Sequence, residues 1–137
     1  MFDAKFIKKE KVAKDIYSFY FQPDSPVRFV AGQFTELKLT HKNPDNRGEK
    51  RWFTISSSPE NKLLAITTKI TPEKSTFKQA LSRLESGAKI QMANPMGDFV
   101  LPKDRSLPLL FVGGGVGCTP FHSIIQHLNQ AHEKRDI

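Results

Sequence analysis

Phe34-Thr35-Glu36-Leu37-Lys38-Leu39 alternates, with Leu37 and Leu39 on one side and Glu36 and Lys38 on the other. Successive side chains of an extended chain point to opposite faces, so this is a strand with one face in a core and one in water. Half-solvated strands of this kind belong to antiparallel sheets. Upstream, Ile16-Tyr17-Ser18-Phe19-Tyr20-Phe21 is rich in aromatic and β-branched residues, which fit a pleated surface. Downstream, residues 41–50 carry Pro, Gly, two Asn and several charges, and read as a surface loop. Residues 51–56, 63–70 and 89–93 read as further strands, and Asn94-Pro95-Met96-Gly97-Asp98 as a tight turn. The Lys8-Lys9-Glu10-Lys11 run is expected at a solvated edge.

One helix is expected among the strands. Phe77, Ala80, Leu81 and Leu84 share one face, Thr76 and Gln79 suit a capping box, and Gly87 suits the C-terminal cap. Many short strands with a single helix predict an all-β unit, a closed or nearly closed antiparallel barrel. The pattern changes after residue 104. Leu109-Leu110-Phe111-Val112 is continuously apolar, as in a parallel strand buried on both faces. Gly113-Gly114-Gly115-Val116-Gly117 follows, then a helix with Phe121, Ile124, Ile125 and Leu128 on one face, Thr119 as N-cap and Pro120 in the first turn. Strand, glycine loop and helix are the opening unit of an α/β nucleotide-binding domain. The expected division is therefore a barrel over 1–104 and the N-terminal fragment of such a domain over 105–137, incomplete because one strand and one helix cannot cover their own apolar surfaces.

Composition narrows the function. The 137 residues carry a net charge of +7, a balance that suits acidic partners or a merely solvated surface. A small basic barrel binding single-stranded nucleic acid is the main rival reading, although no nucleic-acid motif stands out. The single cysteine, Cys118, excludes an internal disulfide and is expected as a small buried group. His122, His127 and His132 recur every five residues, which is not the spacing of helical metal ligands, so no metal site is expected. With no apolar signal region and no run of membrane-spanning length, a cytoplasmic location is expected.

Three segments can carry chemistry. Arg51-Trp52-Phe53-Thr54-Ile55-Ser56 combines a guanidinium fork for phosphate, planar rings for stacking and hydroxyls for hydrogen bonding. Lys74-Ser75-Thr76-Phe77-Lys78 opens the helix, where unpaired amides and the dipole favour anions. Residues 113–120 let a backbone approach a phosphate or a nicotinamide ring, though without the GxGxxG fingerprint.

Taken in order, these pieces resemble the ferredoxin–NADP reductase family. Arg51-Trp52-Phe53-Thr54 is similar to its R-x-[Y/F]-[S/T] flavin motif, Phe29-Val30-Ala31-Gly32-Gln33-Phe34 to its F-x-x-G-Q-F segment, and Ser75 to Leu81 to its second flavin-phosphate segment. Asn94 to Phe99 resembles its P-x-G-x-F turn, and Gly114-Gly115-Val116-Gly117-Cys118-Thr119-Pro120 its G-G-x-G-x-T-P opening. The resemblance implies a six-stranded antiparallel (Greek-key) barrel with one capping helix. It also implies FAD, in preference to FMN, and a reductase that takes electrons from NAD(P)H and passes them to an acceptor, such as an acidic electron-transfer protein. A flavin-binding subunit without its own NAD(P)H site is the alternative within the same resemblance.

Carried over, Arg51 contacts the flavin diphosphate, Trp52 and Phe53 lie at the flavin, and Thr54 bonds near flavin N5, where hydride arrives. Thr68, Lys69 and Ile70 line the flavin through backbone groups. Ser75, Thr76 and Phe77 serve the phosphate, and Gly114, Gly115, Gly117 and Thr119 serve the nicotinamide nucleotide. Thr54 is the one residue given a catalytic role, as a tuning group. Two departures stand out: Phe53 replaces the commoner tyrosine, and no glycine precedes Ser75.

Overall fold

The structure is a computed structural model that describes residues 1–71 and 75–137. Six strands form one antiparallel sheet: β1 (Phe2–Ala13), β2 (Ile16–Pro23), β3 (Phe34–Lys38), β4 (Lys50–Thr54), β5 (Leu64–Lys69) and β6 (Lys89–Met92). Their order across the sheet is β4-β3-β6-β1-β2-β5. The connections from β2 to β3 and from β5 to β6 therefore cross over other strands. The outer strands approach each other past the end of β4, where Ile55 bridges Ile66 and the Ser56 N–H donates to the Ala65 carbonyl at 2.8 Å. The sheet is curled into a barrel that this single bridge draws together without a continuous ladder.

Inside lie Phe19, Phe21, Leu37, Ile66 and Met92, all fully buried. The alternation read at β3 holds, with Thr35 and Leu37 buried and Glu36 and Lys38 half-exposed. Helix α1 (Thr76–Ser82) contributes Phe77 and Leu81 to this core. Full burial of a Phe or Leu side chain is worth roughly 1.5–3 kcal/mol relative to exposure, which is what fixes α1 on the barrel.

Strand β1 did not stand out in the sequence beyond its lysine run. Phe2 to Lys5 pairs with β6, and from Ala4 onward the strand also pairs with β2, but after the irregularity between Phe6 and Lys8 it pairs with β2 alone. The Lys8–Lys11 stretch is thus a solvated sheet edge, and the Lys8 ammonium meets the Glu10 carboxylate at 2.6 Å and lies over the Tyr20 ring.

Several local expectations are corrected. Ser75, not Thr76, caps α1: its hydroxyl accepts from the Lys78 N–H at 3.3 Å. The Thr76 hydroxyl is held instead by His41 and Asp45, so no capping box forms. The helix closes at Arg83, and Gly87, at φ 90°, serves the following turn, where the Ala88 N–H donates to the Glu85 carbonyl.

The continuous apolar run at Leu109–Val112 is not a strand. It pairs with no strand among the described residues, and Leu110 and Val112 are 87% and 80% exposed. A parallel strand exists only through its neighbours, and the run has none to pair with. Residues Gly115–Cys118 form a 3₁₀ turn leading into α2 (Thr119–Gln130). Cys118 occupies the cap position without a side-chain bond and is exposed, whereas Thr119 is already helical and its hydroxyl donates to the Val116 carbonyl.

The apolar face of α2 is covered by the barrel. Ile124 and Leu128 pack with Ala31, Leu101 and Phe111, and the Phe111 and Phe121 rings stack at 4.6 Å. Ile125, expected on the same face, is 51% exposed. Among the described residues no helix is long and apolar enough to cross a membrane.

Candidate functional site

Strand β4 divides its side chains between two surfaces. Arg51 and Phe53 turn toward α1: the Arg51 guanidinium lies 5.3 Å from the Phe77 ring centroid, and the Phe53 ring lies 6.0 Å from it at 31°. Trp52 points the other way, 54% exposed, with its edge on Phe34 at 5.4 Å. Thr54 is half-buried and pairs in register with Phe34. The strand therefore brings together the guanidinium and the ring that the sequence grouped, and separates Trp52 from them.

Arg51 is 5% exposed. Its Nη1 donates to the carbonyls of Arg47, Gly48 and Lys50 at 2.9, 2.9 and 2.6 Å, and its Nη2 donates to Asp45 Oδ1 at 2.6 Å. The Nε atom is buried with no hydrogen-bond partner among the described residues. A buried donor without an acceptor is costly, and a buried charge-bearing one more so, unless an anion or water completes it. The β3–β4 loop, read only as solvated, thus supplies most of the acceptors of this guanidinium.

The same loop reaches the start of α1. The Leu39 carbonyl can only accept, so a neutral His41 carries its proton on Nδ1, which donates to Leu39 at 2.8 Å. His41 Nε2 is then the acceptor for the Thr76 hydroxyl at 3.1 Å, and Thr76 Oγ1 accepts from the Asp45 N–H at 3.0 Å. Lys78 lies one turn on, and its ammonium donates to the Lys69 carbonyl at 2.9 Å. Burial, with Arg47 and Arg51 nearby, pushes the Lys78 ammonium below its ordinary range. Burial works against the charge of Asp45, but the Arg47 N–H and the Arg51 guanidinium outweigh it and hold that carboxyl low. The charges of Arg47 and Arg51 are thus felt at Lys78, while Asp45 pairs with Arg51, and the excess of cations favours a further anion.

The remaining predicted residues are more scattered. Thr68 is 3% exposed, so its side chain faces the interior, and its hydroxyl is not presented to a ligand. Lys69 is joined to α1 through Lys78, and the Ile70 N–H is taken by the Asp15 carbonyl at 2.7 Å. Ser75 caps the helix, while Phe77 is wholly buried and has only its main chain to offer. Lys74, grouped with them in the sequence, lies outside the described residues. Gly114, Gly115 and Gly117 form an exposed turn with open space around each α-carbon.

Helix α2 ties that turn to the continuation of β4. Ser123, fully buried, donates to the Ser57 carbonyl at 2.6 Å, and His122 Nδ1 meets the Ser56 carbonyl at 2.8 Å. His127, one turn further along the helix, meets Glu60 at 2.7 Å. The sequence missed Asp45 and His41 altogether. Their roles come from a loop fold that brings residue 45 to both residue 51 and residue 76, and no spacing rule reports that.

A family model described as the oxidoreductase FAD-binding domain matches residues 3–101. The flavohemoprotein of Bacillus subtilis is 31% identical over 134 residues, covering 95% of this chain and 33% of that protein. The flavohemoprotein of Oceanobacillus iheyensis is 29% identical over 142 residues, covering 98% and 35%. The chain thus spans about a third of the length of these curated relatives. Among solved structures, a cytochrome P450 reductase of Amycolatopsis superposes with a TM-score of 0.81 at 25% identity, covering 98% of this chain and 40% of that one. A flavohemoglobin of Malassezia yamatoensis, solved with bound FAD and heme, gives 0.78 at 24% identity, with coverage of 97% and 35%, and supports the fold alone. The nucleic-acid-binding alternative finds no support in any of these likenesses.

Proposed function

From the premise that the chain belongs to the oxidoreductase FAD-binding domain family, we propose that it takes electrons from NAD(P)H and delivers them to a second acceptor. It is a FAD-binding electron-transfer module, and FAD when bound supplies the redox chemistry: a ring that accepts a hydride and releases electrons singly or in pairs. The chain's own residues bind and orient that group.

The observation that carries the site reading is Arg51. Its buried Nε has no partner among the described residues, and Arg47 and Lys78 add charge nearby. Arg51, with Thr76 and Ser75 at the start of α1, would hold the diphosphate. Phe53 would offer a ring for stacking, without the hydroxyl of a tyrosine. Thr54, at the end of β4, would place its hydroxyl at the hydride-accepting edge. Lys69 and Ile70 would contribute main-chain groups. The Thr68 side chain points inward, and Trp52 would lie outside the flavin contact. The turn at Gly114, Gly115, Gly117 and Thr119 would admit the nicotinamide nucleotide, held near β4 by the bonds of Ser123 and His122.

The division into a barrel over 1–104 and the opening of a nucleotide domain over 105–137 is part of the same proposal, supported by the family match that stops at residue 101. The acceptor belongs to it as well; the basic surface suits an acidic electron-transfer protein. Titration of FAD against Arg51→Ala tests the site. Loss of a charge-assisted contact should weaken binding about ten- to a hundredfold; unchanged affinity removes Arg51 from the site.

A further inference from the structure

Two of the three residues assigned to the diphosphate, Arg51 and Thr76, are bonded to one loop residue. The Asp45 carboxylate receives Arg51 Nη2 at 2.6 Å, and the Asp45 N–H donates to Thr76 Oγ1 at 3.0 Å. The loop presents this carboxylate by its own geometry. The Gly48 N–H closes a turn on the Asp45 carbonyl at 2.8 Å, Gly48 takes a φ of 67°, and the Arg47 N–H holds Asp45 Oδ1 at 3.0 Å. The carboxylate therefore sits against Arg51 without relying on a freely rotating side chain.

A carboxylate oxygen and a phosphate oxygen ask the same thing of a guanidinium: a short, charge-assisted bond in its plane. Both planar forks of a guanidinium include Nη2, the nitrogen that Asp45 holds. Nη1 is surrounded by three carbonyls, so among the described residues Nε alone of the three nitrogens lacks a partner. An incoming diphosphate meets a guanidinium whose charge is already answered and a negative carboxylate beside it. Arg47 and Lys78 still leave the cluster positive, so the anion is attracted to the site but contested at Arg51.

We propose that Asp45 competes with the FAD diphosphate for Arg51, so that the loop at residues 45–48 sets how tightly FAD is held. The proposal rests on the reading of Arg51 and Thr76 as diphosphate-binding residues. It makes one residue act in opposite directions: Asp45 supports the fold by answering Arg51, and it opposes the cofactor. A residue with only a structural role would lower both stability and affinity when removed. A residue that contacted FAD favourably would lower affinity.

The experiment titrates FAD and riboflavin, which lacks phosphate, against the full 137-residue chain freed of flavin, and measures its melting temperature. Wild type, Asp45→Ala, Asp45→Asn and Arg51→Ala are compared. Asp45→Ala should bind FAD about tenfold more tightly, the scale of one lost charge-assisted competitor. Asp45→Asn, which keeps an acceptor and folds more safely, should gain less. Riboflavin affinity should not change in either variant, and the flavin-free melting temperature should fall in Asp45→Ala. Equal or weaker FAD binding in both Asp45 variants, with Arg51→Ala still impaired, overturns the competition alone. An equal gain for riboflavin overturns it too, because the effect would not involve phosphate. Unchanged FAD affinity in Arg51→Ala overturns the underlying site reading together with the proposal.

Discussion

At the scale of single residues, the family-like segments divide into those that meet a ligand and those that shape the barrel. Gly32 and Gln33, in the segment resembling F-x-x-G-Q-F, are of the second kind. Gly32 has a φ of 101°, and a Cβ there would lie 2.0 Å from the Phe99 carbonyl oxygen. Gln33 accepts from the Val30 N–H at 2.9 Å and donates to the Gly97 carbonyl at 3.2 Å, tying the segment to the turn at 94–98. Gly97, at φ 113°, would place a Cβ 2.7 Å from the Phe34 ring. The two segments therefore need glycine because backbone and ring pass within contact distance. Gly32→Ala combines strained dihedrals with a backbone clash and should destabilise the fold by about 3 kcal/mol or more. Thermal unfolding checks this; a melting temperature equal to wild type would mean the segment at Phe99 can move aside freely. By the same reasoning the motif letters were legible in the sequence, but their separation into structural and binding groups was not. Arg51 and Thr76 could be singled out by residue type. Asp45, which contacts both, could not, because only the folded loop brings it to them.

At the scale of elements, α2 makes polar contacts to the β4–β5 connection as well as burying an apolar face. Glu60 joins the Ser58 hydroxyl, and its other oxygen meets His127 at 2.7 Å. Burial raises the Glu60 pKa, but the Ser58 hydroxyl, its own N–H and His127 prevail and hold it below the ordinary value. A carboxyl depressed on folding contributes stability above its unfolded pKa, about 4.3, and that contribution is lost as pH falls through the folded value. Both side chains are partly exposed, so the effect is small, about twofold in local opening. Glu60→Gln should therefore raise amide exchange of residues 119–130 about twofold at neutral pH, and the two proteins should converge once the pH is low enough to protonate Glu60 in the folded protein. A difference that persists at low pH would assign the effect to packing. Elements were legible where one physical pattern dominated. The alternation of β3 was visible because one face is buried and the other wet, and α2 because Ile124 and Leu128 recur at helical spacing. The latter half of β1 was legible only as a solvated edge and not as part of a long strand, because it pairs on one side only and carries charge on both faces. Leu109–Val112 was misread because an apolar run reports a wish for burial, while strand structure also needs a hydrogen-bonding neighbour.

At the scale of the whole molecule, the barrel and α2 form one packed body, while the segment leading into the glycine turn is left bare. Leu110 and Val112 are 87% and 80% exposed, and Val116 beside them is 40% exposed. A dinucleotide site in an open α/β sheet lies in a crevice outside the carboxyl ends of several parallel strands. Among the described residues the sheet is wholly antiparallel and none of its strands pairs with Leu109–Val112. On the proposed reading the glycine turn would approach a nicotinamide ring, but among the described residues no set of parallel strands forms a crevice for the adenosine half. Remote binding energy and proximity are much of what a reductase provides for hydride transfer. The flavin-loaded 137-residue protein, mixed anaerobically with NADH or NADPH at micromolar concentration, should keep its flavin absorbance over seconds. Free dithionite in the same cuvette should bleach it, showing that the flavin is reducible and that the deficit lies in nucleotide binding. Bleaching by either nucleotide within seconds would show that this chain forms the crevice by itself or across a dimer; dilution, which slows only the dimer's reaction, would tell those two cases apart.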